Sequence, residues 1–242
     1  MNSEKNSIEV CFTPALFQSK QTTDDFITVV VDVFRASTTI CAALHAGVEQ
    51  IIPVKSIKKA EAYKHKGFII AGEREGKKLD IASFGNSPFD FNSNKLPKQM
   101  VLTTSNGTVA IQTASESSEV VVGAFCNLSL LTNWLTKQNK SIVILCSGWL
   151  GSFSMEDSLF AGALIELLLS SGKFISEYDA SSAALKLWEE TKDDLLSKAK
   201  EFTHYKRLVK LGAEKDAKFA LELDTLNVIP YLKENCLINI NS

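Results

Sequence analysis

The chain has 242 residues, enough for one large domain, and its 45% hydrophobic and 22% charged residues suffice for a substantial core. A formal net charge of −2 supplies no global basic field to hold a nucleic acid. No apolar run is long and clean enough to cross a bilayer, since Leu159 to Leu169 is short and broken by Glu166, and the opening MNSEKNSIEV lacks the basic and apolar regions of a signal peptide. A cytoplasmic protein is therefore expected, with no membrane partner and a homodimer left open.

In chain order, ITVVVDV (Ile27–Val33) is a β-branched run that predicts a buried strand. A helix follows from Ala36 to Ala46 and ends at Gly47. Gln50–Val54 is a short strand, and Ser56 is a suitable N-cap for a solvated helix reaching Lys66. Gly67–Ala71 is another buried strand, and a Gly-, Asn- and Pro-punctuated loop runs to about Leu96. The pattern repeats with a strand at Met100–Thr104, a helix at Gly107–Ala114 and a strand at Glu119–Ala124. A helix over Leu128–Lys137 follows, capped by Asn127, then a strand at Ser141–Cys146 and an apolar helix at Met155–Ser170. From about Tyr178 to Asp224 the chain turns charged and helical, reading as a cap or packing segment. Asn227–Leu232 and Cys236–Ile240 read as closing strands. The alternation predicts a single α/β domain over residues 1–242, a three-layer α/β/α arrangement on a largely parallel, mixed sheet.

Five cysteines are scattered without a C-x-x-C pair and read as buried free thiols. Of 26 basic residues only Arg35, Arg74 and Arg207 are arginine. Where arginine persists among lysines, its planar fork suits bidentate contact with carboxylate or phosphate.

Ligands of open α/β sheets bind beyond the carboxyl ends of strands, and four such ends carry unusual polar residues. Asp32 ends the most apolar strand, where a carboxylate needs a metal or a cation such as Arg35. Glu73 and Arg74 follow the next, either as Mg²⁺ and phosphate ligands or as an exposed turn, with Asn86 and Ser87 further along the same loop. Ser105-Asn106-Gly107-Thr108 is a small-residue turn at a helix N-terminus, suited to cradling phosphate. Glu156 and Asp157 open the apolar helix, where Ser154 and Asp157 also fit a capping box. There is no Walker A loop, no G-x-G-x-x-G, no G-x-S-x-G and no cysteine followed after five residues by arginine. His45, His65 and His204 lack ligand spacing, which argues against zinc.

At these loops the sequence resembles the 2-phosphosulfolactate phosphatase family. The matching stretches are VVVDVFRASTTI, AGEREG, FGNSP, TTSNGT and SFSMEDSLFAGA, with HYKRLVKLGAEKDAKFALELD downstream. The resemblance implies a Mg²⁺-dependent phosphatase converting 2-phospho-3-sulfolactate, a small anionic phosphate ester, to 3-sulfolactate and phosphate. In methanogenic archaea that step belongs to coenzyme M biosynthesis. It implies an α/β fold with a mixed sheet, and a polar set of Asp32, Arg35, Glu73, Arg74, Asn86, Ser87, Asn106, Gly107, Thr108, Glu156 and Asp157. His204 and Arg207 are weaker carry-overs.

On this reading Asp32, Glu73, Glu156 and Asp157 are the metal candidates. Arg35 and the Ser105–Thr108 turn stabilise the phosphate, Arg74 faces the sulfonate or carboxylate, and a carboxylate not engaged with metal is the base. A rival mechanism makes Asp32 a nucleophile. A phosphatase for another phospho-hydroxyacid and a non-catalytic anion sensor are the alternatives.

Overall fold

A computed structural model describes residues 5–17, 25–92, 95–115 and 119–241. The first four residues of the stretch weighed as a signal peptide, and positions 93–94 of the long loop, lie outside the described residues.

Among the described residues eleven strands form one mixed sheet. They are β1 (Asn6–Cys11), β2 (Phe26–Val31), β3 (Gln50–Pro53), β4 (Ile69–Arg74), β5 (Lys77–Lys78) and β6 (Gln99–Thr103), then β7 (Glu119–Gly123), β8 (Ser141–Cys146), β9 (Phe174–Ile175), β10 (Pro230–Lys233) and β11 (Cys236–Asn239). The spatial order is β5-β4-β6-β3-β11-β10-β7-β2-β8-β1-β9. β4, β6 and β3 are mutually parallel, as are β7, β2, β8, β1 and β9. Between the two blocks lies the β10–β11 hairpin, antiparallel to β7 on one side and to β3 on the other. Three antiparallel steps in succession make the blocks run in opposite directions. The C-terminal segments read as closing strands thus join the halves of the sheet at its middle. Their turn, Glu234-Asn235, has positive φ at both residues (50° and 65°), the conformation that matches strand twist in a two-residue hairpin. The sequence reading missed β1, in which polar residues alternate with buried Ile8 and Val10.

The helices are α1 (Pro14–Phe17), α2 (Ala36–His45), α3 (Ile57–Lys64), α4 (Gly107–Ala114), α5 (Leu128–Gln138), α6 (Met155–Ser170), α7 (Asp179–Thr191), α8 (Leu195–Ala199), α9 (Thr203–Lys210) and α10 (Glu214–Phe219). The strand period of two sorts side chains between layers. Ile27, Val29 and Val31 of β2 face α5, α6 and α7, whereas Phe26 and Val30 face α2 and α4. Met100 and Leu102 of β6 pack on that same α2/α4 layer, while Val101 faces α3. Each half of the sheet therefore has helices on both faces, and α2 and α4 are common to both. Asp32, Trp149, Glu73 and Ser105 line one pocket, so the ends of β2 and β8 lie near those of β4 and β6.

Helix α6 is buried on nearly every side, as expected of an apolar helix between a sheet and another helix. Gly162 lets α7 approach it. A Cβ there would lie 2.2 Å from the Ala184 carbonyl oxygen. Ser56 caps α3 as predicted, accepting the Lys59 N–H at 3.2 Å. Asn127 stands at the N-cap position of α5 but its amide accepts the Ala124 N–H and donates to the Val122 and Val228 carbonyls instead. Four cysteines are buried and Cys236 partly so, all as free thiols. Burial pushes the Cys41 and Cys146 thiols up, which disfavours the thiolate. No described helix is long and apolar enough to cross a membrane.

Candidate active site

A pocket opens where the ends of β2, β4, β6 and β8 meet α9. Asp32, one residue beyond β2, lies on its floor. The start of α2 is built around this residue. The Asp32 N–H donates to Ser37 Oγ at 2.8 Å, the Ser37 N–H returns to the Asp32 carbonyl at 2.9 Å, and the Ala36 N–H donates to Oδ1 at 3.3 Å. The anion that this helix terminus favours is the protein's own carboxylate. Asp32 Oδ2 has no hydrogen bond among the described residues and rests against Gly107, where a Cβ would sit 2.7 Å from that oxygen and 2.6 Å from Ala36 Cβ. Glycine is thus required where α4 begins. Burial raises the Asp32 carboxyl to about 6, with Glu73 and Glu156 adding to the rise and His204 and the Ala36 N–H opposing it.

The other carboxylates are arranged differently. Glu73 Oε1 accepts the Ser105 N–H and Oε2 the Gly76 N–H, each at 2.7 Å, and Ser105 Oγ adds a third bond at 3.3 Å. Asp157 Oδ1 accepts the Val33 N–H at 2.8 Å and Oδ2 the Gly148 N–H at 3.2 Å. Only half of the expected capping box forms, because Ser154 Oγ accepts the Asp157 N–H while the Asp157 carboxylate turns to these two loops. Burial beside Glu156 and Asp32 pushes the Asp157 carboxyl well up. Glu156 Oε1 bonds His204 Nδ1 at 2.6 Å. No three His, Cys, Asp or Glu side chains form a metal-holding group among the described residues. As arranged, the four carboxylates do not make a common cage.

Of the remaining predicted residues, Arg35, Asn86, Ser105 and Asn106 line the pocket. Arg35 Nη1 donates to Asp216 at 2.7 Å and Nη2 to the Gly76 carbonyl at 3.1 Å. Asn86 is buried at the pocket wall, and its Oδ1 has no hydrogen-bond partner among the described residues. Ser87 donates to the other Asp216 oxygen at 2.9 Å. Thr108 and Thr104 bond each other reciprocally and close the first turn of α4. Arg74 points elsewhere, bonding the Glu73 and Lys55 carbonyls and Thr103 Oγ1. Its guanidinium braces strand ends and does not line the pocket.

The sequence reading missed Trp149 and Asp216 and underweighted His204 and Arg207. The last two are spaced i,i+3 on α9, which puts them on one helix face. His204 stacks on Trp149 with centroids 5.3 Å apart, and the Arg207 guanidinium lies 5.5 Å from the same ring's centroid. The spacing was a usable signal. Asp216, among charged residues on α10, carried none.

A mixed α/β sheet whose strand ends enclose a pocket of carboxylates, arginines and a helix N-terminus defines an α/β protein shaped for a small anionic ligand. The chain matches the model of the 2-phosphosulpholactate phosphatase family over residues 11–235, and it belongs to that family. It is 35% identical over 210 residues to a "Probable 2-phosphosulfolactate phosphatase" of Caldanaerobacter subterraneus subsp. tengcongensis, covering 85% of this chain and 87% of that one. Proteins described in the same words share 37% identity in Thermotoga petrophila, over 87% of this chain and 90% of that one, and 34% in Microcystis aeruginosa, with the same coverage.

Proposed function

We propose that this chain is a Mg²⁺-dependent phosphatase that hydrolyses 2-phospho-3-sulfolactate to 3-sulfolactate and phosphate in the pocket around Asp32. Family membership supports the reaction. The observation that carries the site is Asp32 Oδ2, a carboxylate oxygen without a hydrogen bond at a strand end, set against the start of α4.

A divalent cation fits there in a carboxylate-poor mode. Asp32 Oδ2 has no hydrogen-bond donor among the described residues, and Mg²⁺ binds through one or two carboxylates with water and substrate phosphate. Asp32 would hold it, while Glu73 and Asp157, engaged by backbone donors, shape the surrounding loops. When bound, the ion supplies charge neutralisation at phosphoryl oxygens and a more acidic water. The chain's own groups do the rest. The first turn of α4 and the Asn86 amide orient the phosphate, and Arg35, fixed by Asp216, shapes the wall. His204, with Nδ1 held by Glu156, offers Nε2 for proton transfer.

Phosphate release from 2-phospho-3-sulfolactate tests this reading. Turnover supports it. Failure with that ester and with other phosphorylated hydroxyacids overturns it in favour of a small-anion-binding protein.

A further inference from the structure

The chain has three arginines, and the fold uses them in three ways. Arg35 is neutralised by Asp216 in a buried pair. Arg74 is occupied by two carbonyls and Thr103. Arg207 lines the pocket half-buried, and among the described residues it has no carboxylate partner and a single hydrogen bond, to the Glu75 carbonyl at 2.9 Å. It is held by the face of Trp149, a contact that fixes a guanidinium without using its N–H donors. Trp149 is itself stacked on His204, which Glu156 anchors. Most of the Arg207 fork is therefore positioned and still available.

The other walls need such a group. Asp32, Glu73 and Glu75 all line the pocket, and the charge of Arg35 is already matched. A phosphate ester carrying a second anionic group would be repelled from these walls unless a cation stood where that group lies. We propose that Arg207 is the specificity-determining residue, binding the carboxylate or sulfonate of the substrate, so that the site takes phosphorylated hydroxyacids in preference to simple alkyl phosphates. The inference rests on the phosphatase reading and moves to Arg207 the role expected of Arg74. Arginine suits it because its planar fork matches an oxyanion pair, which lysine cannot reproduce.

The test compares kcat/KM for the phosphate ester of lactate with that for isopropyl phosphate, the same skeleton without the carboxylate. Wild type is compared with Arg207→Gln, Arg207→Lys and Arg74→Gln. Wild type should prefer the lactate ester. Arg207→Gln should lower that ratio by roughly 10- to 100-fold, the worth of a charge-assisted hydrogen bond. Arg207→Lys should restore part of it, and Arg74→Gln should leave the ratio in place. A ratio unchanged in Arg207→Gln, or lost in Arg74→Gln alone, overturns the assignment. If wild type turns over neither of these esters, nor 2-phospho-3-sulfolactate, nor other phosphorylated hydroxyacids, the phosphatase reading fails, and tryptophan fluorescence with 3-sulfolactate as probe decides for Arg207. Quenching in wild type that Arg207→Gln abolishes supports it. No quenching, or quenching kept in the variant, overturns it.

Discussion

Glu73 and Ser105, 32 positions apart, are joined by a 2.7 Å hydrogen bond from the Ser105 N–H to the Glu73 carboxylate. The other carboxylate oxygen accepts the Gly76 N–H at 2.7 Å, so one side chain clamps the loop after β6 to the turn after β4. Glu73→Gln replaces an acceptor by a donor at one end of the clamp. The expected cost is about 1–3 kcal/mol, that of a buried donor left without a partner, together with reduced turnover. Denaturant midpoints measure the first effect. An unchanged midpoint with abolished turnover would make Glu73 part of the chemistry instead of a brace.

Gly107 and Asp32 touch through space that has no room for a methyl group. Gly107→Ala should destabilise by about 1–3 kcal/mol and weaken phosphate binding, because Asp32 must move or α4 must back away. A stable variant with unaltered KM would show that neither happens.

The buried Arg35–Asp216 pair gives a sharper stability prediction, with side-chain exposures of 8% and 3%. Asp216→Ala leaves a guanidinium buried without its counter-ion, for an expected loss of about 3–5 kcal/mol. A combined Arg35→Met, Asp216→Leu variant should recover much of that stability and none of the activity. Equal stability losses in the single and combined variants would contradict this account.

Asp32 predicts a pH dependence. The unfolded carboxyl ionises near 3.8 and the folded one at about 6. Between those values the folded state holds the extra proton, so stability falls as pH rises through that window, and the penalty is complete above it. Asp32→Asn should therefore stabilise the metal-free protein at pH 7.5 by roughly 3 kcal/mol and make little difference at pH 3.5. Mg²⁺ should raise the Tm of wild type and leave that of Asp32→Asn in place. Variant and wild type with parallel pH profiles would contradict the assignment.

Much of this was legible in the sequence, for physical reasons that differ by residue. The β-branched run before Asp32 and the small residues before Gly107 announce a strand end and a helix start, because burial on both faces and tight turns restrict composition locally. The roles of individual polar groups were less legible. Arg74 reads like a ligand and is a brace, and Thr108 reads like a phosphate contact and closes its own helix turn, because hydrogen bonding partitions such groups only once the loops are folded. Asp216 could not be found, since its partner Arg35 lies 181 positions away. The central place of the β10–β11 hairpin depends on pairings across the whole sheet, which no local pattern records.

The most direct measurement is phosphate release from 2-phospho-3-sulfolactate by wild type and Asp32→Asn, each with Mg²⁺ and with EDTA. Wild type should release phosphate with Mg²⁺ and none with EDTA, and Asp32→Asn should do so more slowly by roughly 100-fold or more. Release that persists in EDTA, or that Asp32→Asn leaves intact, would contradict this reading.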